Sequence, residues 1–181
     1  EAFMRLVSHF VYETPVPNDF AGQVDHMRKR MEFELARETD ENIDIKLGAG
    51  GIADIEFTVQ YLQIMNGGKN PSLRRPDTAG AIQALQKAGL ISKKYGDALL
   101  EAYRFLRLVE NRLRIANAQS IHTLPKTPAE MEILARRIGY EDNVEGSSRA
   151  KLLSDYEMHT QLVRKIYNEI VAGVDEVPGE K

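Results

Sequence analysis

The residues best suited to chemistry lie close together, between positions 44 and 57. This stretch joins Lys46 to a glycine-rich turn and then to two carboxylates, Asp54 and Glu56. The pair Gly50-Gly51 allows a turn that side chains would strain, and it lets another backbone or a phosphate approach closely. The stretch matches neither the Gly-Lys-Ser/Thr phosphate loop nor the dinucleotide pattern Gly-x-Gly-x-x-Gly. By itself it is therefore ambiguous between a packing turn and a phosphate site.

A helix is predicted to begin directly after this turn. Apolar residues follow at helical spacing of three, four and three, namely Ile52, Ile55, Val59 and Leu62. Asp54 and Glu56 then fall in the first turns, where carboxylates suit the positive end of the helix dipole. Residues 43–47 are predicted to form a short extended strand before the turn. A rival interpretation makes 52–57 a strand with Asp54 and Glu56 on one face, but the helical spacing favours the helix.

The rest of the chain predicts a mostly helical protein. Thr14-Pro15-Val16-Pro17 separates a helix over 2–12 from a second helix whose apolar stripe is Phe20, Val24, Met27, Met31 and Leu35. Capping residues before later apolar segments predict further helices, beginning near Asp77, Ser92, Thr127 and residue 149. The longest carries a bundle-like seam of Leu99, Ala102, Leu106, Val109 and Leu113.

These elements predict an all-α fold, an antiparallel up-down helical bundle of four or five long helices preceded by a helix pair and one short strand. The basic run beside Glu32 in the second helix, at 28–30, is interpreted as a solvated face. The domain prediction is a first unit over 1–51, a helical bundle over 52–173 and a disordered tail over 174–181.

Composition excludes several classes of protein. The 181 residues include 24 basic and 27 acidic side chains, and a net charge of -3 argues against non-specific nucleic-acid binding. The absence of cysteine excludes disulfides and thiolate metal sites, and it suits a cytoplasmic protein. We expect neither a membrane span nor a signal peptide. Metal-ligand spacing is missing among the histidines, which are His9, His26, His122 and His159.

The string from Lys46 to Gln60, Lys-Leu-Gly-Ala-Gly-Gly-Ile-Ala-Asp-Ile-Glu-Phe-Thr-Val-Gln, closely resembles a signature of the glutamine-synthetase adenylyltransferase family. Further blocks agree in the family's order over about residues 24 to 140. They are Pro71-Ser-Leu-Arg-Arg75, Ala102-Tyr-Arg-Phe-Leu-Arg107, Glu110-Asn-Arg-Leu113 and Ile121-His-Thr-Leu-Pro125. Together these blocks are much more specific than any one of them.

The resemblance implies an enzyme that transfers AMP from ATP to a tyrosine of glutamine synthetase, and removes it with its other half. Each half of such an enzyme has a nucleotidyltransferase domain followed by a helical bundle. The implied cofactors are ATP and Mg²⁺, and the implied partners are glutamine synthetase and a PII-type signalling protein. We assign the chain to the C-terminal, adenylylating half, with 1–51 as the tail of its nucleotidyltransferase domain. The chain begins at Glu1 without a methionine, and we expect it to be a piece of a longer protein.

The resemblance also suggests roles for individual residues. Asp54 and Glu56 become catalytic candidates, and the nucleotide-binding candidates are Lys46, Gly48, Gly50, Gly51, Arg104 and Arg107. Gly51 is expected to need a positive φ. The family's metal-binding Asp-x-Asp follows a Gly-Ser turn, and neither Asp54 with Glu56 nor Asp40 with Asp44 does so. The chain alone is therefore predicted to lack a complete metal site and to be inactive.

Simpler interpretations stay open beside these roles. Asp54 and Glu56 equally suit helix capping, and Arg107 with Glu110 suits an ordinary surface ion pair three residues apart. Two other functions also remain. One is a non-enzymatic helical adaptor that binds a partner protein, and the other is the helical domain of a PII uridylyltransferase-like enzyme.

Overall fold

The computed structural model describes residues 2–36, 42–117, 122–144 and 146–173, and within these ranges the fold is all-α. The helices, in chain order, are α1 (Ala2–Tyr12), α2 (Phe20–Arg30), α3 (Ile52–Gly67), α4 (Thr78–Lys87), α5 (Lys93–Asn117), α6 (Pro128–Ile138) and α7 (Ser148–Tyr167). Short π-helical turns at Met31–Ala36 and Asn168–Ala172 extend α2 and α7, and a 3₁₀ turn at Pro71–Leu73 follows α3. None of the described helices has the length and apolarity that crossing a bilayer requires.

Local sequence explains where the later helices begin. The Asp77 carboxylate accepts a hydrogen bond from the Gly80 amide at 2.6 Å and so caps α4. Thr127 caps α6, since its hydroxyl accepts the Glu130 amide hydrogen bond at 3.3 Å and donates to the Glu130 carboxylate at 2.7 Å. At the start of α5, the Tyr95 amide donates to the Ser92 hydroxyl at 3.1 Å. These predicted helix starts are confirmed.

The core is built around α5, which packs against α3, α4, α6 and α7. The apolar seam predicted for it is confirmed, because each member is at most 2% exposed, namely Leu99, Ala102, Leu106, Val109 and Leu113. In α3, Ile52, Ile55 and Val59 are buried against the same core. The helical interpretation of 52–57 is therefore confirmed, and the rival strand interpretation is wrong.

The predicted strand at 43–47 is not present. Asp44 forms an isolated antiparallel bridge with Thr123, and residues 45–47 then turn. The physical reason is the Asp44 carboxylate, whose Oδ1 accepts hydrogen bonds from the Lys46 and Leu47 amides, both at 2.8 Å. An aspartate that captures the next amides bends the chain and prevents a strand from continuing.

The apolar stripe predicted for α2 is partly wrong. Val24 is buried, but Met27 and Leu35 are 52% and 64% exposed, and Arg28 is fully buried instead. The predicted domain boundary after residue 51 stays a prediction, and α2 packs directly against α3. The predicted tail 174–181 and Asp40 lie outside the described residues.

Candidate functional site

The glycine-rich turn folds back on itself to start α3. The Ile52 amide donates to the Ile45 carbonyl at 3.1 Å, and the Ala53 amide donates to the Lys46 carbonyl at 2.9 Å. Two carbonyls that precede the turn thus satisfy amides that a helix start leaves without partners. The backbone of Lys46 is therefore fixed at the start of α3.

The two central glycines, Gly50 and Gly51, are required for different structural reasons. Gly50 has a φ of +72°, and a Cβ there would lie 1.9 Å from the Thr160 carbonyl oxygen on α7. Gly51 has a φ of −74°, so the expected positive φ is wrong at this position and belongs to Gly50. A Cβ on Gly51 would still lie 2.8 Å from the Ile45 carbonyl oxygen. The absence of a side chain at Gly50 therefore allows the backbone of α7 to pack against the turn.

Asp54 is fully buried beneath the turn and faces two arginines. Its Oδ1 lies 2.5 Å from Nε of Arg28, which is also fully buried. Its Oδ2 lies 3.1 Å from Nη1 of Arg164 and accepts the Gly50 amide hydrogen bond at 2.7 Å. The carboxylate therefore joins α2, α3 and α7 and fixes the turn, and none of its surface faces solvent.

Arg28 is the main residue that the sequence interpretation missed. Its Nη2 donates to the Gly48 carbonyl at 2.8 Å, so it holds the turn directly. Glu32 lies 3.4 Å from Arg28 and 2.9 Å from Arg164, which completes a network of two cations and two anions. The sequence interpretation places Arg28 on a solvated face, but Arg28 follows the buried Val24 by four residues, a spacing that puts both on one face of a helix.

The charge of Arg164 is stabilised by this network. Burial lowers the pKa of Arg164, and the negative charges of Asp54 and Glu32 more than reverse that effect, so the net direction is upward. The guanidinium is thus held in its charged form as a partner of both carboxylates.

A second network lies where α3 meets α5. Glu56 lies 3.4 Å from Nη2 of Arg107, whose Nη1 lies 2.7 Å from Glu110. Nε of Arg107 donates to the Tyr103 hydroxyl at 3.1 Å. Burial lowers the pKa of Arg107, and its hydrogen bonds with Glu110 and Tyr103 outweigh that, so the pKa is raised overall. Three separate acceptors fix the plane of this guanidinium.

Glu110 is not a surface residue, since it is 2% exposed. Its Oε1 lies 3.3 Å from Nδ1 of His122 and 3.7 Å from Nη2 of Arg114. The carbonyl of His122 in turn accepts the Ile45 amide hydrogen bond at 2.9 Å. The predicted Arg107–Glu110 pair is present, but it belongs to a network that reaches the segment before the turn.

The structure brings the predicted site residues together unequally. Lys46 and Gly48 lie in the turn, and Asp54 lies beneath it, while Glu56 meets Arg107 on the neighbouring face of α3. Lys46 is half-buried, and none of the ion pairs between described residues includes its ammonium. Arg104, one turn before Arg107 on α5, is exposed and stands outside both networks.

The carboxylates in these ranges do not form a magnesium site. No cluster of three or more histidine, cysteine, aspartate or glutamate side chains there could hold a metal ion. Asp54 and Glu56 both face arginine guanidinium groups, whereas Mg²⁺ binding requires carboxylate oxygens open to the ion and its waters. What the arrangement does offer is a turn, fixed by Arg28 and Asp54, that carries Lys46 at the start of α3.

Comparison with known proteins identifies the family of this chain. A family model described as GlnD PII-uridylyltransferase matches residues 19–171, which is most of the chain. The chain belongs to this family.

Individual relatives carry a related description. The chain is 41% identical over 140 residues to a bifunctional glutamine synthetase adenylyltransferase/adenylyl-removing enzyme of Xanthomonas axonopodis pv. citri, covering 77% of this chain and 15% of the relative. It is 32% identical over 173 residues to the enzyme of the same name in Corynebacterium diphtheriae, covering 92% of this chain and 16% of the relative. The chain thus spans about one sixth of the length of these relatives.

Proposed function

We propose that this chain is the helical part of an enzyme that transfers AMP from ATP to a tyrosine of glutamine synthetase, and removes it with its other half. The observation that carries the proposal is the 41% identity over 77% of the chain to an enzyme of that description. We place the chain in the adenylylating half, with a PII-type protein as regulator and the cytoplasm as its compartment.

In this proposal the turn supplies positive charge to the nucleotide. The Lys46 ammonium, which no described acid neutralises, binds a phosphate of ATP. Arg107 adds a second cation, since its pKa is raised and it stays charged at any physiological pH. Asp54 acts indirectly, because it holds the turn and has no face open to a ligand.

The magnesium that such a reaction uses is held elsewhere in the longer protein. Mg²⁺ would supply charge neutralisation at the triphosphate, and the carboxylates described in this chain do not fit it. Residues 1–51 complete the neighbouring nucleotidyltransferase domain in this proposal. The chain alone is then expected to bind nucleotide weakly and to transfer no AMP.

The proposal is tested by Lys46→Ala in the full-length protein, with incorporation of labelled AMP into glutamine synthetase as the measurement. A hydrogen bond to a charged group contributes about 1.5–3 kcal/mol, so KM for ATP is expected to rise roughly tenfold to a hundredfold. Lys87→Ala, a change in an exposed lysine of α4, is the matched control and should leave KM unchanged. Equal KM values for the two variants would refute the role of Lys46.

One observation favours a second candidate, because the matching family model is described by uridylyl transfer to PII. In that case the full-length protein would modify a PII-type protein with UTP and would leave glutamine synthetase unmodified with ATP. Parallel assays with the two nucleotides and the two acceptor proteins separate these candidates. An adaptor without enzymatic activity would modify neither acceptor.

A further inference from the structure

We propose that Glu110 is a positioning residue, which holds Arg107 against α3 and couples it to the segment that carries Lys46. The inference rests on the proposed function, in which both cations bind the phosphates of one nucleotide. Glu110 itself has no surface for a ligand, since it is 2% exposed, so it acts through Arg107.

The first argument is the cost of placing a carboxylate there. Removing a carboxylate from water is unfavourable unless charges and hydrogen bonds compensate it. Glu110 accepts a hydrogen bond from Arg107 at 2.7 Å, and nitrogens of His122 and Arg114 lie 3.3 Å and 3.7 Å from its other oxygen. An exposed ion pair on the surface is not surrounded by nitrogen-bearing groups in this way. We therefore infer that the Glu110 carboxylate holds these side chains in position.

The second argument is that Arg107 keeps N–H donors that no group in the described chain uses. A guanidinium has five N–H donors, and Glu110, Glu56 and Tyr103 engage one each. Two donors remain, and the side chain is 38% exposed. Arg107 is thus fixed on one side and retains hydrogen-bonding capacity for an anion on the other.

The third argument is the connection to Lys46. His122 contacts Glu110 through its ring, and its carbonyl accepts the hydrogen bond of the Ile45 amide. Ile45 directly precedes Lys46. A path of three residues, Glu110, His122 and Ile45, therefore links Arg107 to the backbone that carries Lys46.

The test is a double-mutant cycle in the full-length enzyme, with ATP and glutamine synthetase as substrates. Glu110→Gln keeps the shape of the side chain and removes its charge. If Glu110 positions Arg107, KM for ATP should rise about five- to tenfold, as for coupled neighbours, while kcat stays within about twofold. In an Arg107→Ala background, the same change should add nothing to KM.

The control is Glu101→Gln on the exposed face of the same helix, which should change neither constant. The inference is overturned if Glu110→Gln leaves KM unchanged, or raises it equally with and without Arg107. If Arg107→Ala alone has no effect on KM, the role of Arg107 in the proposed function fails as well, and the two failures are thereby distinguished.

If circular dichroism shows that the Glu110→Gln variant does not fold, a second variant tests the inference. His122→Phe removes the ring nitrogens and leaves the backbone hydrogen bond with Ile45 in place. It should also raise KM for ATP, and the rise should vanish in the Arg107→Ala background. A rise that persists there, or no rise at all, overturns the inference.

Discussion

Replacing Asp54 is the sharpest test of how the turn is held. Asp54→Ala removes the carboxylate that faces Arg28, and it also removes the acceptor of the Gly50 amide. Asp54→Asn removes the charge but keeps an oxygen that can accept from Gly50. The two variants therefore separate the ion pair from the amide hydrogen bond.

The expected magnitude follows from burial. Arg28 and Asp54 are both fully buried, and removing one partner of such a pair costs about 3–5 kcal/mol. The lost Arg164 contact adds little to this cost, because the Arg164 side chain is 23% exposed and retains Glu32 at 2.9 Å, whereas Arg28 keeps Glu32 only at 3.4 Å. Leaving the Gly50 amide without an acceptor adds about 1–3 kcal/mol. We therefore expect a loss of about 3–5 kcal/mol for Asp54→Asn, and about 4–8 kcal/mol for Asp54→Ala.

The assay is chemical unfolding of the chain followed by far-ultraviolet circular dichroism. Glu101→Gln is the control, since Glu101 is exposed on the surface of α5 and should leave the unfolding midpoint unchanged. If Asp54→Ala unfolds at the same denaturant concentration as Glu101→Gln, the buried ion pair does not hold the turn and the reasoning is refuted. If Asp54→Asn abolishes the proposed AMP transfer in the longer protein at unchanged stability, Asp54 is assigned to catalysis instead.

Two further predictions concern the turn and the loop before α7. Gly50→Ala and Gly89→Ala both place a side chain at a φ of +72°, but the Gly89 Cβ meets no atom within 4 Å while the Gly50 Cβ meets α7. Gly89→Ala should cost about 1–2 kcal/mol and Gly50→Ala about 1–3 kcal/mol more by chemical unfolding, and equal losses would contradict the close approach. The pKa of Asp142 is lowered by the Ser148 amide and then by Arg136. Its stabilisation is therefore present above the unfolded pKa of about 4 and is lost as the pH falls through the folded pKa. Unfolding curves should show Asp142→Asn less stable than the parent chain near neutral pH and equal to it in strong acid, and a gap that persists in acid would count against this.

Local pattern was enough to predict much of the fold. The seam of α5 and the start of α3 were predictable because their apolar spacing and the glycine turn act over neighbouring residues. The burial of Arg28 could not be predicted, because a buried arginine needs charged or polar partners and the main partner here is distant in sequence. Its partner Asp54 belongs to another helix, and nothing in the local sequence shows the contact.

The same limit applies to the candidate site. The pairing of Arg107 with Glu110 could be predicted from their spacing of three residues. The burial of Glu110 could not, because it depends on His122 returning from beyond the end of α5. The predicted strand failed for a local reason that the sequence does contain, namely an aspartate placed to capture the two amides at 46 and 47.

The ion-pair network beneath the turn also affects the order in which the protein folds. Arg164 meets Asp54 across 110 residues of chain and Glu32 across 132. Closing loops of this length lowers the entropy of the chain before any stabilising contact has formed. Contacts between residues so far apart in sequence therefore slow folding. The contacts that Arg164 makes beneath the turn are therefore expected to form late, when α7 meets α2 and α3. The same dependence means that local opening of α7 removes Arg164 and the Thr160 backbone from the turn, whereas the hydrogen bonds from Arg28 to Gly48 and from Gly50 to Asp54 remain.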